Sequence, residues 1–385
     1  PPAPPVGTGP YRFVRSREDG SLEFAPHAAY HLGSPSIPRI ILTRIADDAE
    51  RARAVAHGQV DLAPIRPEET GPFRRRSNTW VVRMLTGAWR GMPLNMQHPA
   101  LQDIRVRQAI DLSLDRQEIV AAALPSAGRP AYQPMSPLSF AFSAKLDEPY
   151  ADPGRARELL DQAGWFTSDR GLRYRGRNPK TQVAFGTAAL PPRDAVALAS
   201  ASGTAGAAAA EEGGPDSDGP LTLKLLVPRD DTFRLRAAEV IRAQLRRVGI
   251  LVEIDAVDAA AYASGTASMD DRYDAWIGEW DSLLDPGGSL YREFHTDGRE
   301  NRTGYSNATM DRMLDLCRGA TDKTAAKDLY ERLMENLRPE AVVLPLAYPE
   351  TLFAARTRVA GLRESVIDDV SGFSRNAWRW HLEDE

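Results

Sequence analysis

Near the start of the chain, polar and apolar residues change places every position or two. Tyr11–Arg15 and Ser21–Phe24 are two such runs around Glu18-Asp19-Gly20, a turn sequence, and together they predict a β-hairpin. Arg39–Ile45 reads as a third strand. Asp47 and Asp48 then supply an N-cap and an acidic first turn for a helix through Ala56, closed by Gly58, after which strand resumes at Val60–Ala63. Thr79–Leu85 is one more β-rich run, and a lobe boundary is expected near residue 92.

From Asp103 the spacing changes to that of a helix. Ile104, Val106, Ala109, Ile110 and Leu114 make one apolar stripe with Arg and Asp on the wet face, Arg105 and Arg107 among them. Asp152-Pro153 opens a second helix whose Leu159, Leu160 and Ala163 share a side, and Gly164 stops it. The pattern decays between Phe166 and Pro220, where Ala199–Gly219 is low-complexity and predicts a mobile surface loop. Leu221–Val227, Asp231–Val248 and Ile250–Ile254 then read as a βαβ unit with parallel strands. A helix around Asp258–Ala263, a strand at Tyr273–Gly278, helices opened by Ser306 or Asn307 and by Asp322, and a strand at Val342–Leu346 complete an α/β lobe. A chain of 385 residues exceeds one ordinary core, so two lobes are expected.

Composition removes several kinds of function. A net charge of −5 gives a polyanion little to hold, so no nucleic-acid partner is expected. Cys317 is the only cysteine and falls on an apolar helix position, which predicts a buried thiol rather than a nucleophile. The six histidines are scattered, with no metal-ligand spacing, so neither a metal nor another cofactor is expected. Gly7-Thr8-Gly9 is followed by Pro10-Tyr11 and a strand, not by a helix N-terminus that could hold phosphate. No G-x-S-x-G elbow occurs, and no residues stand behind an enzymatic reading. Phe73-Arg74-Arg75-Arg76 reads as a solvated helix face.

Several segments, in order, resemble the extracellular solute-binding proteins of family 5, the oligopeptide, dipeptide and nickel binders that feed ABC importers. Val6–Phe13 (VGTGPYRF) is similar to that family's entry strand, and Ala54–Ala63 (AVAHGQVDLA) to its helix-to-strand turn. Pro99–Val120, PALQDIRVRQAIDLSLDRQEIV, is the most specific match. Asp152–Trp165, Ile241–Ile254, Tyr305–Asp311 and Val343–Leu346 continue the likeness. In the family the VGTGPY segment lies well inside the protein, so the resemblance implies that this chain is a piece of a longer lipoprotein or one part of a split one.

The implied fold is α/β and periplasmic-binding-protein-like (type II, cluster C), with two lobes and the first incomplete. Residues 1–92 and 346–385 would belong to that lobe and 93–345 to the other, with an insertion at 166–220. The implied function is capture of a peptide or similar small polar solute between lobes that close about Leu94–Met96 and Leu344–Leu346, and delivery to ABC permease subunits. The setting would be extracellular or periplasmic, with membrane attachment only through a lipid. The other implied reading is a scaffolding or regulatory envelope protein without a transport ligand. Peptide-binding relatives pair an Asp, three residues after a Trp, with the ligand amine; here Leu283 stands at that position after Trp280. Asp281 and Asp285 are the substitutes in reach, and Trp280, Asp281, Ser282, Asp285, Asn95 and Trp276 are the expected substrate-binding residues.

Overall fold

The computed structural model describes residues 7–176, 219–267, 272–281, 286–362 and 372–383. Strands β1 (Tyr11–Ser16), β2 (Leu22–Pro26) and β3 (Ile40–Leu42) form a small antiparallel sheet. Asp47 caps α1 (Asp48–Ala56) by accepting the Glu50 N–H at 2.7 Å, as its placement before an acidic first turn predicts. Next come β4 (Leu62–Ile65), β5 (Thr79–Leu85) and β6 (Ala88–Pro93). Phe73 is buried under a 3-10 turn while Arg74, Arg75 and Arg76 stay exposed, so only the arginines of that run form a solvated face.

Helix α2 (Ile104–Leu112) buries Val106, Ala109 and Ile110 of the expected stripe but leaves Ile104, in its first turn, exposed, and α3 (Arg116–Ala123) follows, capped by Asp115. Arg105 is exposed, whereas Arg107 is buried and donates to the carbonyls of Glu340 and Leu101. Strand β7 (Gly128–Pro130) and helix α4 (Pro153–Gln162) lead to β8 (Trp165–Thr167) and β9 (Arg173–Arg175), an antiparallel hairpin. The decay in pattern at Phe166 thus begins within ordered structure. Arg173 is only 1 % exposed and donates to the carbonyls of Val248 and Arg157, an anchor that periodicity cannot register. The low-complexity stretch lies outside the described residues, apart from Gly219.

The expected βαβ unit is present as β10 (Thr222–Pro228), α5 (Thr232–Arg247) and β11 (Leu251–Val257), with the strands parallel. Gly249 closes α5 at φ +90°, a conformation that disfavours other residues. After α6 (Ala259–Ala267) the single strand expected at Tyr273–Gly278 is two. β12 (Ala275–Trp276) joins β10 in parallel, and β13 (Gly278–Asp281) pairs antiparallel with β6 in the other sheet. The chain therefore passes between sheets at Ile277. Three helices, α7 (Pro286–Phe294), α8 (Ala308–Gly319) and α9 (Lys323–Glu340), precede β14 (Val343–Arg356). Cys317 is buried on α8, and burial pushes its thiol up to about 11.

β14 organises the larger sheet. Its first half pairs with β6 and β7, and its second half with β4 and β5. It also supplies residues to every apolar cluster: Leu344 and Leu346 to one, Tyr348 to another, Phe353 to a third and Leu352 to a fourth. The two crossings expected from the sequence lie side by side, since Leu344 faces Met92 in the register and the Leu94 N–H donates to the Val342 carbonyl at 2.9 Å.

Candidate functional site: a recess beside Trp280

Where the chain steps from β12 to β13, it borders a recess of about 450 Å³. One wall comes from Arg234 at the start of α5 and from Tyr262, Ala263 and Thr266 of α6; Trp276, Glu279 and Trp280 line it from the crossing itself. Glu293 of α7 and Glu300, Arg302 and Thr303 from the following loop complete it. The recess is therefore built by both sheets, with α6 fixed to the crossing by a hydrogen bond from the Tyr262 hydroxyl to the Ile277 carbonyl. Burial pushes that phenol up to about 12, so it stays a donor at any physiological pH.

Trp280 owes its pose to strand geometry. It is directly opposite Trp89 on β6, and Gly278 is opposite Gly91, so two tryptophans and two glycines share one face of the pair. The indoles stack with centroids 4.6 Å apart and planes 21° from parallel. A Cβ at Gly278 would overlap the Trp280 ring, and one at Gly91 would come within 2.8 Å of the Trp89 ring. The glycines are thus what allow both indoles to lie over the strands. Trp89 is buried, whereas Trp280 keeps part of its surface at the recess.

The expected site residues separate into groups. Trp276 and Trp280 meet at the recess, with Trp276 nearly buried. Asn95 is 3 % exposed and does not line it: its side chain donates to the Tyr273 carbonyl at 2.9 Å and accepts the Gln97 N–H at 3.0 Å, which secures the crossing. Asp281 is exposed and away from the lining, and its carbonyl accepts from the Ser289 hydroxyl. Ser282, Leu283 and Asp285 lie outside the described residues.

Sequence reasoning missed Glu293. It occupies the i+3 position between the buried Leu290 and Phe294 on α7, so helical geometry turns it inward with them. A carboxylate on an apolar stripe was the available signal. Burial, reinforced by Glu300 and opposed by Arg292, holds its carboxyl well above the usual range. Because the folded-state pKa is raised, the native protein binds this proton more tightly than the unfolded chain. The group's stability contribution is then complete below the unfolded pKa and is lost as pH rises through the folded one. Glu293→Gln should accordingly be more stable than the wild type at pH 8, by about 1–3 kcal/mol, and nearly equal to it at pH 4. Denaturant unfolding at the two pH values checks this, because the other carboxyls cancel in the difference.

The family model for bacterial extracellular solute-binding proteins, family 5, middle portion, matches residues 1–301. The chain belongs to this family. Similar curated proteins include protein XP55 of Streptomyces lividans, 25% identical over 363 residues, which cover 93% of this chain and 58% of that protein. Di/tripeptide-binding protein 2 of Pseudomonas aeruginosa is 24% identical over 379 residues, 96% of this chain and 61% of the relative. The crystal structure of the ABC transporter substrate-binding protein CtaP from Listeria monocytogenes superposes with a TM-score of 0.75 at 18% identity, covering 99% of this chain and 67% of that one. The two-lobed α/β solute-binding fold is thereby shared. The chain spans about three-fifths of the length of the curated relatives it matches. Among the described residues no helix is long and apolar enough to cross a membrane, and no group of three or more His, Cys, Asp or Glu could hold a metal ion.

Proposed function

We propose that this family 5 chain is the solute-capturing component of an ABC importer and holds a peptide or similarly sized polar solute between two lobes. One lobe would comprise residues 1–92 and 346–385 and the other 93–345, pivoting where Leu94–Met96 and Leu344–Leu346 run together. The observation that carries the reading is the recess beside Trp280, which mixes aromatic faces with acidic and basic side chains; its lining comes wholly from the 93–345 lobe, over which the other lobe would close. Such a surface suits main-chain and terminal groups of a short peptide, which combine apolar and charged character. The Pseudomonas relative, named as a di/tripeptide-binding protein, and the Listeria structure, a substrate-binding protein of an ABC transporter, support it. Capture without turnover is the expected mode, outside the cytoplasmic membrane, with a lipid holding the protein to the cell surface.

A pool of di- to pentapeptides at saturating concentration should raise the melting temperature by on the order of 5 °C, since a ligand at a hundred times its dissociation constant adds about 2.7 kcal/mol. Trp280→Ala should weaken that binding at least tenfold, or about 1.4 kcal/mol. A melting temperature unmoved by the whole pool would overturn the reading.

A further inference from the structure

A second opening, of about 660 Å³, is lined from both sides of the boundary near residue 92. On one side stand Arg66, Glu68 and Glu69, where β4 gives way to the 3-10 turn that begins at Pro67. On the other stand Asp230, Asp231, Thr232 and Arg236, at the start of α5. Helix geometry aims Arg236 at the opening: it follows Thr232 by four residues and shares its side, while Phe233, Ala237 and Ile241 are buried. Arg66 is already paired with Asp48, and Asp231 with Arg234. Glu68, Glu69, Asp230 and Arg236 make no ion pair with another described residue. Unpaired charges of opposite sign thus face one another from the two lobes.

We infer that Arg236 and the Glu68-Glu69 pair form a clasp across this opening, the guanidinium engaging both carboxylates when the lobes close. This rests on the two-lobed capture proposed above and adds to it the contact that favours the closed state. Closure brings Glu68 and Glu69 toward Asp230, and like charges at short range oppose the approach. Among the described residues lining the opening, Arg236 is the one cation without a partner, so it is the group free to offset that repulsion. Its planar fork of five donors can serve two carboxylates at once, which a lysine could not do with the same geometry. A single exposed pair contributes little, but one arginine held between two carboxylates is a network and contributes more. A metal ion is not the alternative filler, since no group of three or more His, Cys, Asp or Glu among the described residues could hold one. Any gain in the closed population passes directly into apparent affinity, because only the fraction able to close retains solute.

The test places one spin label on each lobe, at Arg53→Cys on α1 and Arg242→Cys on α5, positions that are both exposed, while the native Cys317 is buried. Double electron–electron resonance then reads the distance between the lobes with and without the pool of di- to pentapeptides. Sodium chloride at about 20 mM and about 500 mM sets screening lengths of roughly 20 Å and roughly 4 Å. At low salt the ratio of short to long distances should be at least threefold higher in the otherwise wild-type protein than in Arg236→Glu, and high salt should remove most of that difference. Adding Glu68→Arg and Glu69→Arg to Arg236→Glu exchanges the charges and should restore the short distances, a rescue that mere damage to the fold would not give. Distances that are the same with and without Arg236→Glu, or an exchange that rescues nothing, would overturn the clasp and leave solute capture standing. If the peptide pool fails to bind, capture falls, and the ligand-free distances decide the clasp by the same comparison.

Discussion

Replacing Arg116 by methionine should lower the unfolding free energy by about 3–5 kcal/mol, the range for removing one member of a buried ion pair. The side chain is 1 % exposed and spends its donors inside the protein. Its Nε donates to the Pro345 carbonyl at 3.0 Å, and Nη1 donates to the carbonyls of Asp111 and Leu114. Nη2 pairs with the Asp111 carboxylate, which also accepts from the Tyr150 hydroxyl. Methionine fills similar volume but leaves Asp111 charged, nearly buried and without its cation. Adding Asp111→Asn in the methionine background should recover part of the loss, because it removes the stranded charge. Denaturant unfolding of the two variants measures both effects, and a loss below about 1 kcal/mol for the single change would place the pair with ordinary surface bridges.

Trp89→Ala should cost a comparable amount, about 3–5 kcal/mol, as deletion of a fully buried aromatic usually does. Trp89 is 1 % exposed and packs in the cluster that includes Leu290, Phe294 and Tyr348. Its second role is to carry Trp280, which stacks on it at 4.6 Å. The variant should therefore lose affinity for whatever the recess binds, even when assayed well below its melting temperature. Trp89→Phe, which keeps an aromatic surface under Trp280, should retain more of both properties. Unfolding and ligand titration on the same samples separate the two effects.

The local signals were the legible ones. Asp152, Asp231, Asn307 and Asp322 each accept a backbone N–H at the start of the helix they were expected to open, because capping needs only a short side chain and the next turn. The parallel βαβ unit was equally plain. Long-range partners were not legible. The break between β12 and β13 depends on which sheet each residue joins, and nothing within Ala275–Asp281 records that. β14 runs much further than the expected Val342–Leu346 strand: Pro349 argues against continuing it, yet the strand accommodates both Pro345 and Pro349, with a register shift after Pro345. Asn95 looked like a ligand group because an exposed and a buried amide are identical in sequence. Arg116 and Glu293 were hidden for a related reason: periodicity assigns charged residues to water, and only the packed neighbours show that these two are inside.

The strand that touches every apolar cluster also limits how the molecule can come apart. Because β14 is shared, stripping it from β4 and β5 would uncover Phe353 and Leu352, and stripping it from β6 would uncover Leu344. The half built on the parallel β11-β10-β12 sheet shares its apolar cluster with Leu344 and Leu346 of β14, so it too leans on this strand. Any opening between the lobes must therefore bend around an intact central seam, and heating should melt both halves in a single step.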